Sequence, residues 1–318
     1  YLRTHGLLVP ELTISMLPGP YRVPSYQSTI DVVLTNKTPC GTYRAPGRYE
    51  GTFVREHLLD VAADRMGVDR AELRRRNLLT PEEIPHVRPL RALGTDMVLD
   101  AGDYPGLLAT ALDTTHSWRD EAEKLRTQGR TVGFGFACFL EKSGLGPHET
   151  ADVTVEPSGM VRVHTGGTSL GQGIETVMAQ IAAQRLGIRD SDVHVINGDT
   201  EQQPFGLGSW ASRSTVLSGN AVDLAATAVL DRARTLAATM LGVPETLVEH
   251  ADGGFSVPTD PDRRVGLGDV ARAATPGSPL LDADSTPGLS ARRTFHVDHT
   301  TYPYGVHVAL VEVDRGTG

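Results

Sequence analysis

The residues best suited to hold a ligand fall in two glycine-rich runs, 165–173 (TGGTSLGQG) and 206–215 (GLGSWASRST). The first brings four glycines, several hydroxyls and Gln172 into nine positions. Glycine lets bare backbone approach a bound group, and a helix start offers unpaired N–H groups and the positive end of a dipole. Ser212, Ser214 and Thr215, with Arg213 among them, repeat the device. Two N–H-rich helix starts with hydroxyls and an arginine suit a phosphate-bearing cofactor. The same residues also serve as two tight turns ahead of helices with no ligand, and residue types alone leave both readings open. A nucleoside-triphosphate loop is excluded. Gly166 and Gly171 have its spacing, but Gln172 and Gly173 stand where it needs Lys followed by Ser or Thr.

Other candidate chemistry is sparser. The 11 histidines are scattered, with no HExxH or HxH, and His296 and His299 sit three apart, on opposite faces of a strand. No metal held by side chains is expected. There is no GxSxG elbow. Cys40, in a Thr-Pro-Cys-Gly turn, reads as an inert thiol rather than a nucleophile, since no partner is near in sequence. Glu141 and Glu149 bracket loop 142–148 and are either an acid and a base or solvated carboxylates. Arg44, in a Tyr-Arg-Ala-Pro-Gly turn, is a solvated charge or an anion clamp. The run 74–76 (RRR) reads as the solvated face of a short helix.

These groups need elements to hold them. Behind the first run, Ile174, Val177, Met178, Ile181, Ala182 and Leu186 form the apolar stripe of a buried helix. Ahead of it, 151–155 and 161–164 read as strands joined by a Pro157-Ser158-Gly159 turn. A buried strand at 193–196 leads to the second run, and a helix from about 214 to 240 follows, with Val222, Ala225, Val229, Leu236 and Met240 inward. Upstream, a helix is predicted from about 48 to 66, ended by Gly67, with Val54, Leu58, Val61 and Ala62 inward. Asp69 and Glu72 have capping-box spacing before the next helix. The prolines of residues 1–35 suggest loops and edge strands, with a strand at 31–35. Residues 81–130 read as a polar crossing with one helix near 104–126, and 132–139 as a strand. Residues 249–290 read as a hairpin and a short helix at 269–274 within loops, and 294–297 and 305–313 as closing strands.

Composition bounds the partners. At 318 residues and 39% hydrophobic, the chain has core enough for roughly two domains. Its 30 basic against 39 acidic residues, net −9, argue against nucleic acid and anionic membranes. Two cysteines make no zinc, iron–sulfur or disulfide framework. No apolar run approaches the roughly 20 residues of a membrane span, and no secretory signal opens the chain. Opening on Tyr1 and stopping just past strand-like 308–313, it reads as an internal piece of a longer protein.

Four motifs in order carry a resemblance. Residues 42–77 (TYRAPGRYEGTFVREHLLDVAADRMGVDRAELRRRN), Gly171-Gln172-Gly173 with Thr176 and Gln180, Gly198-Asp199-Thr200, and 206–215 resemble the molybdenum hydroxylases. That is the family of xanthine dehydrogenase, aldehyde oxidase and the carbon monoxide dehydrogenase large subunit. The resemblance implies an α+β fold of two mixed α/β subdomains with the cofactor between them. Residues 1–100 would be the C-terminal part of the first molybdopterin-binding domain, 101–130 a connecting segment, and 131–318 the N-terminal part of the second. It implies a molybdenum–molybdopterin cofactor, in the cytosine dinucleotide form, whose metal is held by the pterin. Gly171, Gln172 and Gly173 would face the pterin, and Ser212, Arg213, Ser214 and Thr215 the pyrophosphate and nucleotide. Arg44 would face the substrate, the one catalytic residue within this stretch. [2Fe–2S] and FAD are expected on partner subunits, in a cytoplasmic enzyme that oxidises an aldehyde or an N-heterocycle with oxygen from water. A reductase of the same family and a non-catalytic molybdopterin-binding paralogue are the alternatives. Ala45 stands where carbon monoxide dehydrogenases carry Cys and most other members Gly, which argues against copper-assisted CO oxidation. The family's catalytic Glu lies beyond this chain, so the piece alone is expected to be inactive.

Overall fold

Two glycines frame the helix that organises the first part of the chain. Gly47, at φ 77°, precedes α2 (Arg48–Met66), and Gly67, at φ 64°, closes it by donating to the Ala63 and Asp64 carbonyls. Both conformations are left-handed and suit a residue without Cβ. Asp69 then caps α3 (Arg70–Asn77), its Oδ1 accepting the Ala71 and Glu72 N–H groups at 2.8 and 3.1 Å. The computed structural model describes residues 6–33, 35–38, 41–281 and 286–318. Cys40 lies outside the described residues. The chain divides into two compact units, residues 1–142 with 299–318, and residues 143–298.

In the first unit, α1 (Leu8–Met16) precedes α2 and α3, so the N-terminal stretch is helical where loops and edge strands were expected. No strand forms over the described residues of 31–35. The segment expected to be a polar crossing holds a hairpin, β1 (His86–Ala92) paired antiparallel with β2 (Thr95–Leu99). The single helix expected near 104–126 is two, α4 (Tyr104–Thr114) and α5 (His116–Thr127). The break has a local cause. Thr110, Thr114 and Thr115 each bond the carbonyl four residues back, at 2.8–2.9 Å, and such back-bonding bends helices. Strand β3 (Val132–Leu140) pairs antiparallel with the closing strand β11 (Tyr304–Glu312). Met16, Tyr21, Leu79, Met97, Tyr104 and Phe136 are part of the core.

The buried face of α2 is Gly51, Arg55, Glu56 and Ala63. Val54 and Leu58, expected inward, are 44% and 60% exposed. Glu56 explains the inversion. Its carboxylate accepts from Tyr21 Oη at 3.0 Å, Arg55 Nε at 2.8 Å, Arg74 Nε at 2.8 Å and the Cys138 N–H at 3.1 Å. A carboxylate with four donors can be buried, because its lost hydration is replaced bond for bond. Arg74 is correspondingly buried, pairing also with Asp60 at 2.8 Å, while Arg75 and Arg76 remain exposed as expected of the basic run.

The second unit is built on a four-stranded sheet. Strands β4 (His148–Val155) and β5 (Val161–Thr165) form the expected hairpin around the Pro157-Ser158-Gly159 turn. Helix α6 (Ile174–Leu186) then carries the chain over to β6 (Val193–Asn197), which lies parallel to β5. A wide π-helical turn, Ser214–Gly219, leads into α7 (Asn220–Leu241). Beyond it come β7 (Glu249–Ala251), β8 (Gly254–Val257), β9 (Asp260–Gly266), α8 (Leu267–Ala273) and β10 (Leu289–His296). The last pairs antiparallel with β4, giving the order β10-β4-β5-β6. The predicted inner faces hold: Ile174, Met178, Ala182 and Leu186 of α6, and Val222, Ala225, Val229 and Leu236 of α7, all lie in one core with Val153, Val163 and Phe255.

Candidate functional site

The two glycine-rich loops zip together into one floor in the second unit. Gly166 and Gly206 lie back to back, so close that a Cβ on either would overlap the other's backbone. The Gly208 N–H donates to the Gly166 carbonyl at 3.1 Å. The Thr168 N–H donates to Ser209 Oγ at 2.9 Å, and Ser214 Oγ donates to the same oxygen at 2.9 Å. Residues some 40 apart in sequence thus share one surface, held by groups without long side chains.

On that surface Gln172 is exposed and locks its own loop. Its Oε1 accepts the Leu170 N–H at 2.5 Å, and its Nε2 donates to the Thr168 carbonyl at 3.2 Å. Gly171 and Gly173 have φ of 88° and 73°, which a side chain would strain. Gly173 is the N-cap of α6 and has no side chain with which to satisfy the first-turn N–H groups. Beside them Glu175 accepts from Ser169 Oγ at 3.0 Å and Asn197 Nδ2 at 3.3 Å. Its carboxyl is held below the ordinary range, chiefly by its own backbone N–H. Ser212 and Thr215 are exposed, and Ser214 is half-buried. Ala211 and Ser212 adopt φ of 46° and 54°, rare for residues with a Cβ.

Arg213 lies beneath the floor and is fully buried. Nε donates to the Leu145 carbonyl at 3.1 Å, Nη1 to Glu149 Oε2 at 2.6 Å and the Gly208 carbonyl at 2.9 Å, and Nη2 to the His148 carbonyl at 2.6 Å. Four of the five N–H donors of a guanidinium are thereby spent on the protein. Glu149, read above as a possible acid or base or a solvated loop carboxylate, is fully buried as the counter-ion of Arg213. Close by, Ser218 Oγ in the π-helical turn is buried without a hydrogen-bond partner. Wide turns of this kind insert one extra residue and recur at functional sites.

Arg44 belongs to the first unit and is exposed. It and Ala45 hold left-handed φ of 26° and 52°, in a turn closed by the Arg48 N–H donating to the Ala45 carbonyl at 3.1 Å. The turn borders a half-open cavity of about 300 Å³ lined by Ala45, Arg48, Phe53, Phe139, Glu141 and His307, among others. Arg48 and Glu141 form an ion pair there, so Glu141 is not simply solvated either. The next residue, Lys142, is buried. Its Nζ donates to Thr95 Oγ1 at 2.6 Å and to the Ala92 carbonyl, and among the described residues no carboxylate is bonded to it. Burial first, and then the nearby Arg48, lower its ammonium pKa to about 8.

Sequence reasoning missed Lys142 and the cavity. Its one available signal was the Glu141-Lys142 pair directly after an alternating strand. His296 faces His148 across the β10–β4 pair, with ring centroids 5.7 Å apart. Among the described residues no group of three or more His, Cys, Asp or Glu could hold a metal ion, and no helix is long and apolar enough to cross a membrane.

Comparison with known proteins shows the family. Two family models match, both described as a molybdopterin cofactor-binding domain, over residues 1–78 and 109–318. The chain is 43% identical over its whole length to the gamma subunit of the 6-hydroxypseudooxynicotine dehydrogenase complex of Paenarthrobacter nicotinovorans, and covers 40% of that protein. It is 32% identical to the carbon monoxide dehydrogenase large chain of Hydrogenophaga pseudoflava, over 94% of this chain and 39% of the relative. The crystal structure of quinoline 2-oxidoreductase from Pseudomonas putida 86 superposes with a TM-score of 0.84 at 29% identity, covering 99% of this chain and 41% of that one. The chain thus spans about two-fifths of the length of these relatives.

Proposed function

This chain belongs to the family of molybdopterin cofactor-binding domains, and on that premise we propose that its zipped loop floor grips a molybdopterin cofactor in the cytosine dinucleotide form. The residues fit such a group. Gly166 and Gly206 leave bare backbone, Gly171 and Gly173 turn the chain in left-handed conformations, and α6 opens without a capping side chain. Backbone N–H groups at a helix start favour a phosphate. In this reading Gly171, Gln172 and Gly173 lie against the pterin, and Ser212, Ser214 and Thr215 along the pyrophosphate and nucleotide. Arg213 serves them from beneath as the clamp that fixes their loop. Residues 1–100 and 131–318 are parts of two successive cofactor-binding domains, with 101–130 between.

Bound there, the molybdenum group would supply two-electron oxidation of a carbon centre with oxygen drawn from water. The chain's own residues orient and polarise. Arg44 faces the substrate and stabilises negative charge developing on it. The whole subunit is then the catalytic part of a cytoplasmic hydroxylase acting on an aldehyde or an N-heterocycle. Its electrons leave through [2Fe–2S] and FAD on partner subunits. The relatives' names, 6-hydroxypseudooxynicotine dehydrogenase and quinoline 2-oxidoreductase, favour the heterocycle. Ala45 argues against copper-assisted CO oxidation.

The observation that carries the reading is the contact of two distant glycine-rich loops in one floor at a helix start. The test is to express the full-length gene with its neighbours, then measure molybdenum content and aldehyde- or heterocycle-dependent dye reduction. Metal with turnover supports the reading. Bound pterin without turnover on any substrate identifies a non-catalytic paralogue, and neither pterin nor metal overturns the assignment.

A further inference from the structure

One face of the second unit's sheet carries three matched pairs across β4 and β10. Arg292 stands opposite Asp152, Thr294 opposite Thr150, and His296 opposite His148. The alternate residues of β4, Glu149, Ala151 and Val153, are buried, so the three pairs share the side turned to solvent. The first is an ion pair at 2.8 Å, and the second a hydrogen bond between hydroxyls at 2.8 Å. The third is a pair of imidazoles whose ring centroids lie 5.7 Å apart with their planes tilted by 44°. His296 is exposed and His148 half-buried, so solvent reaches this end of the face.

We propose that His148 and His296 together bind a divalent transition-metal ion of the copper, nickel and zinc class. The spacing suits one shared ion. An ion held by a ring nitrogen at about 2.1 Å lies about 3.2 Å from the ring centroid, so two rings on one ion stand about 5.2 Å apart at a tetrahedral angle and about 6.4 Å apart when opposed. The observed 5.7 Å falls within that range. Imidazole nitrogen suits copper, nickel and zinc, whereas magnesium and calcium take oxygen ligands. Residues directly opposite on paired strands are already neighbours, so little ordering entropy opposes the chelate. No group of three or more such ligands forms among the described residues, so water or small anions fill the remaining positions and the site is an open one. The ion also bears on the loop floor. The His148 carbonyl accepts Arg213 Nη2 at 2.6 Å, Glu149 is the counter-ion of Arg213, and the Pro147 carbonyl accepts the Val297 N–H at 3.3 Å. An ion across the pair thus ties the last residue of β10 to the strand end that holds Arg213. The ion site depends on the sheet alone, whatever the floor holds.

The test titrates the full-length subunit, stripped of loosely bound metal by a chelator, with Cu2+, Ni2+, Zn2+ and Mg2+ in a calorimeter. Wild type should show a site that is tightest for Cu2+ and does not take Mg2+. His148→Gln and His296→Gln should each weaken Cu2+ at that site at least about tenfold, and the double variant no further than either single one, because one chelate is broken only once. His194→Gln, on β6 opposite Arg162, should leave it unchanged. Electron paramagnetic resonance of bound Cu2+ should show coupling to two nitrogens in wild type and to one fewer in each variant. Saturating Zn2+ should raise the thermal unfolding midpoint of wild type but of neither variant. Metal-free midpoints should agree within about 2 °C, as for other surface substitutions. If His148→Gln disturbs the strand, His296→Gln, at the more exposed ring, decides by itself. Equal Cu2+ affinity in wild type and His296→Gln overturns the proposal. So do losses that add in the double variant, which would mean two separate weak sites. Binding of every ion weaker than about 0.1 mM in wild type overturns it too, and leaves the pair as an aromatic contact.

Discussion

The loop floor of the second unit and the cavity of the first unit are built in opposite ways. The floor is made of backbone. Its glycines touch, its hydroxyls are short, and its one large charge, Arg213, is hidden behind it and neutralised by Glu149. The cavity is made of side chains: aromatic rings and the Arg48–Glu141 ion pair line it. A backbone surface offers the same donors to any phosphate-bearing group of the right shape, whereas a side-chain surface discriminates among substrates. On the function proposed above, cofactor retention falls to the second unit, and the turn that carries Arg44 belongs to the first.

The sharpest way to break that division is to remove a buried arginine from each unit. Arg213→Ala strands Glu149, and Arg74→Ala strands part of the Glu56–Asp60 cluster. Each should cost about 3–5 kcal/mol in denaturant unfolding of the full-length subunit. Arg75→Ala, on the exposed side of the same helix, should stay within about 0.5 kcal/mol. Only Arg213→Ala should also shed molybdenum. If Arg74→Ala sheds as much at equal residual folding, the retention role does not belong to the second unit.

Arg44→Ala is the complementary experiment. Metal content should be unchanged while kcat/KM falls about a hundredfold, as when a charge-stabilising donor is lost. Equal cofactor loss in this variant and in Arg213→Ala would contradict both roles. Gly166→Ala should force the two loops apart, cost about 1–3 kcal/mol, and lower cofactor occupancy. Gly67→Ala, where nothing crowds the added carbon, should show only the strain of its φ, about 1 kcal/mol, with occupancy intact.

A further effect is read in pH. Lys142 has a folded pKa of about 8, below its ordinary 10.5, so between those values the unfolded chain binds the proton more tightly. Stability from this group therefore rises as pH increases from 8 towards 10.5. Cys138 and Tyr104, pushed up to about 11 and about 12 by burial, act in the opposite direction. The contribution is read as the difference between wild type and Lys142→Met across that range. A difference that is flat with pH would remove Lys142 from the buried charges of the first unit.

Much of the second unit was legible because its signals are local. A strand, a turn, a glycine run and an apolar stripe recur in order between 151 and 240, and each element appears close to where its pattern lies. The first unit was harder to read because its core is partly ionic. The stripe of Val54 and Leu58 points outward, and Glu56, which reads as a surface residue, is the hub. Periodicity records where apolar residues recur, not whether a carboxylate has found four donors. Likewise nothing near Glu149 announces Arg213, 64 residues away, as its partner.

The sequence by itself determined the glycines, hydroxyls and helix starts of the loop floor and, through their order, the family. These rest on backbone conformation, which short stretches of chain set by themselves. Only the tertiary structure decided that the two loops touch, that Arg213 is buried against Glu149, and that Arg48 and Glu141 pair in the wall of a cavity. Those facts depend on desolvation and on donors drawn from distant segments, and a charge buried with its partners is written in the same letters as a charge left in water.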